Sequence, residues 1–151
     1  MTLTYSIAVL ALITFLSMAS AADKPISDKT PPVDIDGTYT IVSGERAGKE
    51  IPADHITGSI VVFEGNNVFG TDKNKKEFFA ATFQIDTGTT PHTIRMVSTT
   101  QNKGQKADGV IEVKGDTVRL AYALPGGATP TDFKTKVDQH YFVMKRVKKS
   151  D

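Results

Sequence analysis

The chain of 151 residues contains no cysteine. That absence excludes disulfides, a thiol nucleophile, a thiolate metal site and a lipid-modified N-terminal cysteine. The chain also lacks an excess of either charge, because 18 Lys and Arg residues stand against 17 Asp and Glu residues, for a net charge of +1. No overall field attracts nucleic acid or an anionic membrane, so we expect no nucleic-acid partner. A chain of this length has room for one domain.

Charge is missing altogether from the first part of the chain, where no charged side chain occurs before Asp23. The residues from Ile7 to Met18 are nearly all apolar, and the small residues 19–22 follow. This layout is typical of a secretory signal with its cleavage site. We predict a signal peptide over residues 1–22 and a protein that is periplasmic, in the cell envelope or secreted, with no transmembrane segment after cleavage. An uncleaved anchor and a buried helix are the alternatives, since the apolar run is at the short end of the roughly 17–25 residues that span a bilayer.

Prolines dominate the next segment, with Lys24-Pro25 and Thr30-Pro31-Pro32 and almost nothing to bury. Prolines favour an extended chain, so residues 23–35 are interpreted as a spacer. Residues 36–148 then form the single folded domain.

From Gly37 onward, apolar and polar residues alternate, and Gly, Asn, Asp and Pro clusters interrupt them about every ten residues. This pattern predicts consecutive antiparallel strands. A short helical turn is predicted over Ile51 to Gly58, between Pro52 and the closing glycine. With short connections and no crossover helices, we predict an all-β protein, an antiparallel up-and-down barrel of eight strands. A sandwich needs a long crossing connection, and only Pro125 to Lys136 is long enough. The eight predicted strands are Thr38 to Ser43, Ser59 to Glu64, Asn67 to Thr71, Glu77 to Ile85, His92 to Thr99, Gly109 to Val113, Thr117 to Leu124 and Gln139 to Val147.

Several short motifs carry a resemblance to a known family: Gly37-Thr38-Tyr39, Gly48-Lys49-Glu50-Ile51-Pro52, Val113 to Val118, and Pro125-Gly126 with Pro130 to Phe133. With these motifs the chain resembles the lipocalin-like family of small exported proteins from planctomycetes, over about residues 35–148. That family usually has Trp where this chain has Tyr39, and often Cys where it has Ala121. Any function that needs that thiol is excluded here.

The resemblance also implies a contact between the first and last strands. In lipocalins, the aromatic residue of the first strand lies at the closed end of the barrel, and a basic residue of the last strand stacks on it. By position these residues are Tyr39 and Arg146. The alternative is that Arg146 belongs to a solvated basic cluster with Lys145, Lys148 and Lys149. A separation above about 6 Å between guanidinium and ring would exclude the stack.

The inward faces of the strands hold the candidate binding residues, because an eight-stranded barrel is either filled by side chains or holds one small ligand. Phe63 and Phe69 are less certain members, since a slip of one residue reverses their face. Tyr122, Tyr141 and Arg95 are candidate polar anchors near the mouth. The candidate lining residues are Tyr39, Ile41, Phe79, Phe83, Met96, Leu120, Tyr122 and Tyr141.

The chain carries no catalytic or metal motif that we recognise. His55, His92 and His140 are not spaced to place two imidazoles on one ion, and no Gly-x-Ser-x-Gly or His-Glu-x-x-His sequence occurs. The carboxylates lie mostly in turns, where solvated turn residues are expected. We therefore expect no enzyme, no metal and no cofactor.

Two functions fit the sequence; a third, an enzyme, would need titratable side chains that converge in a cleft, and nothing in the sequence indicates such a cluster. The first is a monomeric, non-catalytic binding protein for a small apolar or amphipathic ligand in the mouth of the barrel. The second is an envelope interaction module with a filled barrel, which meets a protein or polysaccharide through loops such as Asp72 to Lys76 and Gln101 to Asp108.

Overall fold

The computed structural model describes residues 33–148. The predicted signal peptide and nearly all of the predicted spacer lie outside these residues. Nine strands and one helical turn follow in chain order: β1 Gly37–Arg46, β2 Lys49–Glu50, α1 Ala53–Ile56, β3 Ile60–Glu64, β4 Asn67–Thr71, β5 Glu77–Asp86, β6 His92–Ser98, β7 Lys106–Lys114, β8 Thr117–Ala123 and β9 Gln139–Arg146.

The strands form one antiparallel sheet in which sequence neighbours are also spatial neighbours. The order is β2-β1-β3-β4-β5-β6-β7-β8-β9, and β9 pairs back onto β1. Eight strands, β1 and β3 to β9, therefore close a barrel, and the short β2 is an extension beside the upper part of β1. The prediction of an all-β, antiparallel, lipocalin-like barrel with one helical turn is confirmed in its fold class.

Three local features differ from the sequence prediction. The first strand was expected to end at Ser43, but β1 continues to Arg46 and is joined to its partner β2 by Ala47 and Gly48, which have φ values of 50° and 76°. The helical turn is shorter than predicted. β7 begins at Lys106, within the expected polar loop, because Ala107 pairs with Met96 and packs against the core. Polarity of the flanking residues concealed this strand extension.

The antiparallel order gives the barrel two distinct ends. The lower end carries the start of β1 and the β3–β4, β5–β6 and β7–β8 turns, as well as the end of β9. The upper end carries the β1–β3 connection with β2 and α1, and the β4–β5, β6–β7 and β8–β9 loops.

Aromatic rings fill the lower part of the barrel. Tyr39, Phe63 and Phe83 form a chain of edge-to-face contacts with centroid distances of 5.7 and 5.4 Å. Such pairs add about 0.5–1.5 kcal/mol each beyond the burial of their area. The remaining inward residues of this layer are aliphatic and buried, and they include Ile94, Ile111, Val118, Leu120 and Met144.

A β-bulge in β1 changes which side chains face the upper interior. The pairing with β9 passes from Ile41 opposite Met144 directly to Ser43 opposite Val143, so Val42 is the extra residue. Beyond the bulge, Gly44 lies opposite Phe142 and Arg46 opposite His140. A bulge reverses the alternation of faces. The bulge therefore places Gly44, which has no side chain, against the Phe142 ring, where a Cβ atom would be only 2.9 Å from ring carbons.

Candidate functional site

Most of the sequence-predicted lining residues face the barrel interior. Tyr39, Ile41, Phe83, Met96 and Leu120 are buried members of the core. Phe79 and Tyr122 are partly buried and pack against that core. Of the two less certain residues, Phe63 is buried in the core, whereas Phe69 pairs with Val62 on the opposite face.

The prediction that Tyr141 lines the interior is wrong. Neighbouring residues of a strand point to opposite faces, and Phe142 is the one that packs against the core. Tyr141 lies outside, where its ring centroid is 5.8 Å from that of Phe133 in the β8–β9 loop. Arg95, a candidate anchor near the mouth, is also exposed on the outer face, where its Nε donates a hydrogen bond of 2.9 Å to Asp108.

The lower end is closed by a fully paired polar group. The Tyr39 hydroxyl donates a hydrogen bond of 2.8 Å to the carbonyl oxygen of Ile35, and burial raises the pKa of this phenol. Arg146 Cζ lies 5.2 Å from the centroid of the Tyr39 ring, inside the limit of about 6 Å. The same guanidinium donates to the carbonyl oxygens of Asp36 and Asp34, at 2.6 and 3.3 Å.

The upper interior holds a cluster of three rings, Tyr122, His140 and Phe142, which we call the upper cluster. Tyr122 is 5.6 Å from His140 and 6.4 Å from Phe142, and His140 is 5.9 Å from Phe142, between centroids. Tyr122 extends the inward face of β8 above Leu120, and the other two rings share the inward face of β9. Three aromatic side chains thus form one wall of the upper interior.

The upper cluster contains one polar atom that lacks a partner. Nδ1 of His140 lies 3.2 Å from the Tyr122 hydroxyl. Nε2 of the same ring is shielded from solvent and has no hydrogen-bond partner among residues 33–148. Leaving a buried polar atom unpaired costs about 1–3 kcal/mol, and native proteins contain few such atoms. This atom therefore needs an explanation.

The pKa values of Tyr122 and His140 indicate whether Nε2 of His140 carries a hydrogen. Burial raises the pKa of Tyr122 to about 12, so its hydroxyl keeps its proton and needs an acceptor. Burial, together with the charge of Arg46, lowers the pKa of His140, which favours the neutral ring. A neutral ring that accepts the tyrosine proton at Nδ1 carries its own hydrogen on Nε2. The opposite tautomer leaves two groups unpaired instead of one, so Nε2 is a hydrogen-bond donor.

Arg46 supplies a positive charge beside the upper cluster. It lies opposite His140 in the β1–β9 ladder, and its charge adds to burial in lowering the pKa of His140. For Tyr122 the same charge opposes the larger effect of burial, which raises the pKa. Its side chain is exposed, and it has no acidic partner within 4.0 Å among the residues that the structure describes. The upper end therefore combines aromatic surface, a neutral donor and a cation.

The connection between β1 and β3 lies over this end of the barrel. Ile51 approaches the Phe142 ring across Gly44, since a Cβ atom at Gly44 would lie 2.9 Å from the ring and 3.2 Å from Ile51 Cδ1. Ile56 of α1 is buried in the core cluster. The pairing of β4 with β5 skips Phe78, so both Phe78 and Phe79 lie against Gly70, and Phe78 remains 41% exposed. Apolar side chains thus line the rim as well.

A concave region lies on the outside of the barrel. This outer groove has a volume of about 630 Å³, and it runs across β5, β6 and β7 to Thr129 of the β8–β9 loop. The Arg95–Asp108 ion pair lies within it. The other lining residues are Gln84, Ile85, Asp86, Thr93, Ile94 and Gly109.

The long β8–β9 loop, residues 124–138, is tied to the outer wall. Gln139 is 1% exposed, and its side-chain amide accepts a hydrogen bond from Lys136 N at 2.8 Å and donates one to Ala128 O at 2.6 Å. Arg119 Cζ lies 4.2 Å from the centroid of the Phe133 ring and is paired with Glu112, which lowers the pKa of that carboxyl. The buried, outward-facing Val110 and Ala121 are consistent with this cover.

Within residues 33–148, no group of three or more His, Asp or Glu side chains is placed to hold a metal ion. Likewise, no helix of the described chain has the length and apolar character needed to cross a bilayer. Comparison with protein-family models gives no match, and no curated protein matches the sequence. The resemblance to the lipocalin-like family of planctomycetes stays a prediction.

Sequence reasoning missed His140 and Phe142 as site residues. His140 was considered only as a metal ligand, and the neighbouring Tyr141 was predicted to face the interior. One signal was available: the stack predicted for Arg146 on Tyr39 requires the even-numbered residues of β9 to face inward, and this excludes Tyr141.

Proposed function

We propose that the chain is an exported, non-catalytic binding protein that takes a small apolar or amphipathic molecule at the upper end of its barrel. The signal-like N-terminal sequence supports export. The closed eight-stranded barrel supports a binding role, because barrels of this size hold at most one small ligand. The upper cluster carries the proposal, since it joins aromatic surface to a buried donor without a partner among the described residues.

The filled lower part of the barrel limits the size of the ligand. Tyr39, Phe63 and Phe83 occupy the interior there, so a long chain has no room to extend downward. The ligand instead contacts Tyr122 and Phe142, and Ile51 moves away from the Phe142 ring to admit it. A compact molecule with one flat apolar part fits this arrangement.

A titration with the fluorescent apolar dye Nile red tests this proposal. We expect saturable binding to the wild-type protein and weaker binding to Phe142→Leu, which keeps an apolar side chain but removes the inward ring. Tyr141→Leu is the matched control, because the neighbouring ring faces outward, and its affinity should equal that of the wild type. No saturable binding, or equal losses in both variants, would refute the proposal.

Native mass spectrometry of protein isolated from its own source provides a second test. A bound molecule of low mass that the Phe142→Leu variant loses and the Tyr141→Leu variant keeps would support the proposal and identify the ligand. A bound molecule kept equally by both variants would place its site elsewhere.

The outer groove supports a second candidate, an interaction module for a polysaccharide. Its lining offers a guanidinium, a carboxylate and an amide, from Arg95, Asp108 and Gln84, which can hydrogen-bond to hydroxyl groups. Calorimetric titration with soluble neutral polysaccharides should then give heat that the Arg95→Gln variant loses. Absence of heat for the wild type would remove this candidate.

A further inference from the structure

The polar side of the upper cluster points to one class of ligand, and this inference rests on the function proposed above. We propose that the molecule bound at the upper end is a compact aromatic or aliphatic carboxylate, whose anionic group accepts a hydrogen bond from His140 Nε2 and faces Arg46.

The upper cluster presents a hydrogen-bond donor to a ligand. With the Tyr122 proton directed to Nδ1, the Nε2–H group of His140 is a donor, and it is shielded from solvent without a partner in the described part of the chain. A ligand that satisfies it must offer an acceptor. Alcohols, amides and carboxylates all do so, whereas protonated amines and pure hydrocarbons do not.

The charge of the groups around His140 favours an anionic ligand. The groups that face His140 are the Tyr122 hydroxyl from β8 and the Arg46 guanidinium from β1, and neither is negative, since burial keeps the phenol protonated. Arg46 has no acidic partner within 4.0 Å inside residues 33–148. An anionic acceptor is therefore favoured over a neutral one, because hydrogen bonds to ionised acceptors are about twice as strong as neutral ones.

The affinity for a carboxylate should also depend on pH. The cation at Arg46 and the burial of the ring both disfavour protonation of His140 in the free protein. A bound carboxylate has the opposite effect, because a nearby negative charge favours the imidazolium. Binding of a carboxylate thus takes up a proton, and its affinity rises as the pH falls from about 7.5 to about 5.5, above the usual range of carboxyl pKa values.

Three probes that share one skeleton and differ in charge test the proposal: cinnamate, cinnamyl alcohol and cinnamylamine. Their affinities are measured by calorimetry and by displacement of Nile red at both pH values. We expect cinnamate to bind about tenfold more tightly than the alcohol at the lower pH, and the amine to bind most weakly. Arg46→Gln should weaken the binding of cinnamate more than that of the alcohol, so that most of the preference for cinnamate is lost. Lys145→Gln removes an exposed cation at the lower end of β9, the strand that carries His140, and should change neither affinity.

The outcomes separate this inference from the proposed function. Equal affinity for all three probes, or a preference for the amine, overturns the carboxylate assignment while Nile red binding that depends on Phe142 still supports a binding barrel. Cinnamate affinity that is independent of both pH and Arg46 also overturns the assignment. If neither the dye nor any probe binds, the proposed function and the inference both fail. A direct readout is the imidazole resonance of His140, whose titration midpoint should move to higher pH when cinnamate is bound.

Discussion

The contact between Tyr39 and Arg146 joins the first and last strands of the barrel, and its contribution to stability can be worked out from the structure. The guanidinium carbon lies 5.2 Å from the ring centroid, and two further donors reach the carbonyl oxygens of Asp36 and Asp34. For a partly exposed group, the cation–π contact contributes about 1 kcal/mol. The two hydrogen bonds together contribute about another 1 kcal/mol after allowance for solvent.

We therefore expect Arg146→Met to lower the free energy of unfolding by about 2 kcal/mol, since methionine keeps an apolar stem but loses the charge and the donors. Tyr39→Leu removes a buried ring and a hydrogen bond, and it should lower stability by about 2–4 kcal/mol. When both changes are combined, the loss of stability should be smaller than the sum of the two single losses by about 1 kcal/mol. This difference is the interaction energy between the two side chains, which each single variant already removes.

Urea unfolding of the wild type, the two single variants and the double variant measures this coupling. The matched control pairs Tyr39→Leu with Lys145→Gln, which lies next to Arg146 but is exposed. The control pair should be additive within about 0.3–0.5 kcal/mol. A coupling for Tyr39 and Arg146 that is no larger than that of the control pair would show that the stack contributes nothing to stability.

Three further predictions concern the upper half of the barrel and its outer wall. Gly109→Ala should lower the free energy of unfolding by about 1–3 kcal/mol in urea titrations, since a Cβ atom there would overlap Ala121 O; unchanged stability would contradict this packing. Gln139→Ala removes the two hydrogen bonds that tie down the β8–β9 loop, so limited proteolysis should cut residues 124–138 faster and stability should fall by about 1–3 kcal/mol; an unchanged cleavage rate would contradict this. Because the pKa of His140 is lowered from 6.5 in the folded protein, its stabilising contribution is complete above about pH 6.5 and is lost as the pH falls toward the folded pKa. Stability should therefore decline more steeply between pH 6.5 and pH 5 in the wild type than in His140→Phe, and parallel curves would refute this assignment.

The fold was predictable because its signal is local. Alternation of apolar and polar residues locates Phe79 and Phe83 on one face of a strand, and Lys114-Gly115-Asp116 marks a hairpin turn, with no need of long-range information. The strands and the hairpin depend on short-range patterns that tertiary contacts do not reverse. The stack of Arg146 on Tyr39 is a long-range contact, and its prediction came from the resemblance to lipocalins.

The upper end was only partly predictable, because the inward face of β9 follows from the position of Arg146, whereas the rest depends on departures from alternation. Because of the bulge at Val42, Gly44 and Arg46 share a face with Phe142 and His140 of β9, whereas in a regular strand they would point to the opposite face. The bulge at Phe78 places two neighbouring rings, Phe78 and Phe79, against Gly70. The conformational preferences of single residues do not locate these bulges, since the position of a bulge depends on how the strand pairs with its neighbour. The pairing of Tyr122 with His140 likewise depends on the register of β8 and β9.

The two ends of the barrel treat buried polar groups in opposite ways, and this contrast yields a last prediction. At the lower end the Tyr39 hydroxyl has its acceptor, whereas at the upper end His140 Nε2 finds none in residues 33–148. An unpaired buried group costs about 1–3 kcal/mol, a large part of a typical stability of about 5–15 kcal/mol. We expect such an unpaired group where a bound ligand supplies the missing acceptor, and not in a purely structural network.

Replacing both polar partners should then stabilise the protein and abolish carboxylate binding. In Tyr122→Phe/His140→Phe the rings remain while the hydroxyl and both ring nitrogens disappear, a change that is near neutral or stabilising when the shapes match. We expect urea unfolding at pH 7.5 to show a stability equal to the wild type or up to about 2 kcal/mol higher, with cinnamate binding lost and Nile red binding kept. Tyr122→Phe alone is the matched control, because it leaves Nδ1 unpaired as well and should lower stability. A double variant less stable than this single one would show that the upper cluster is a structural network and not a binding wall.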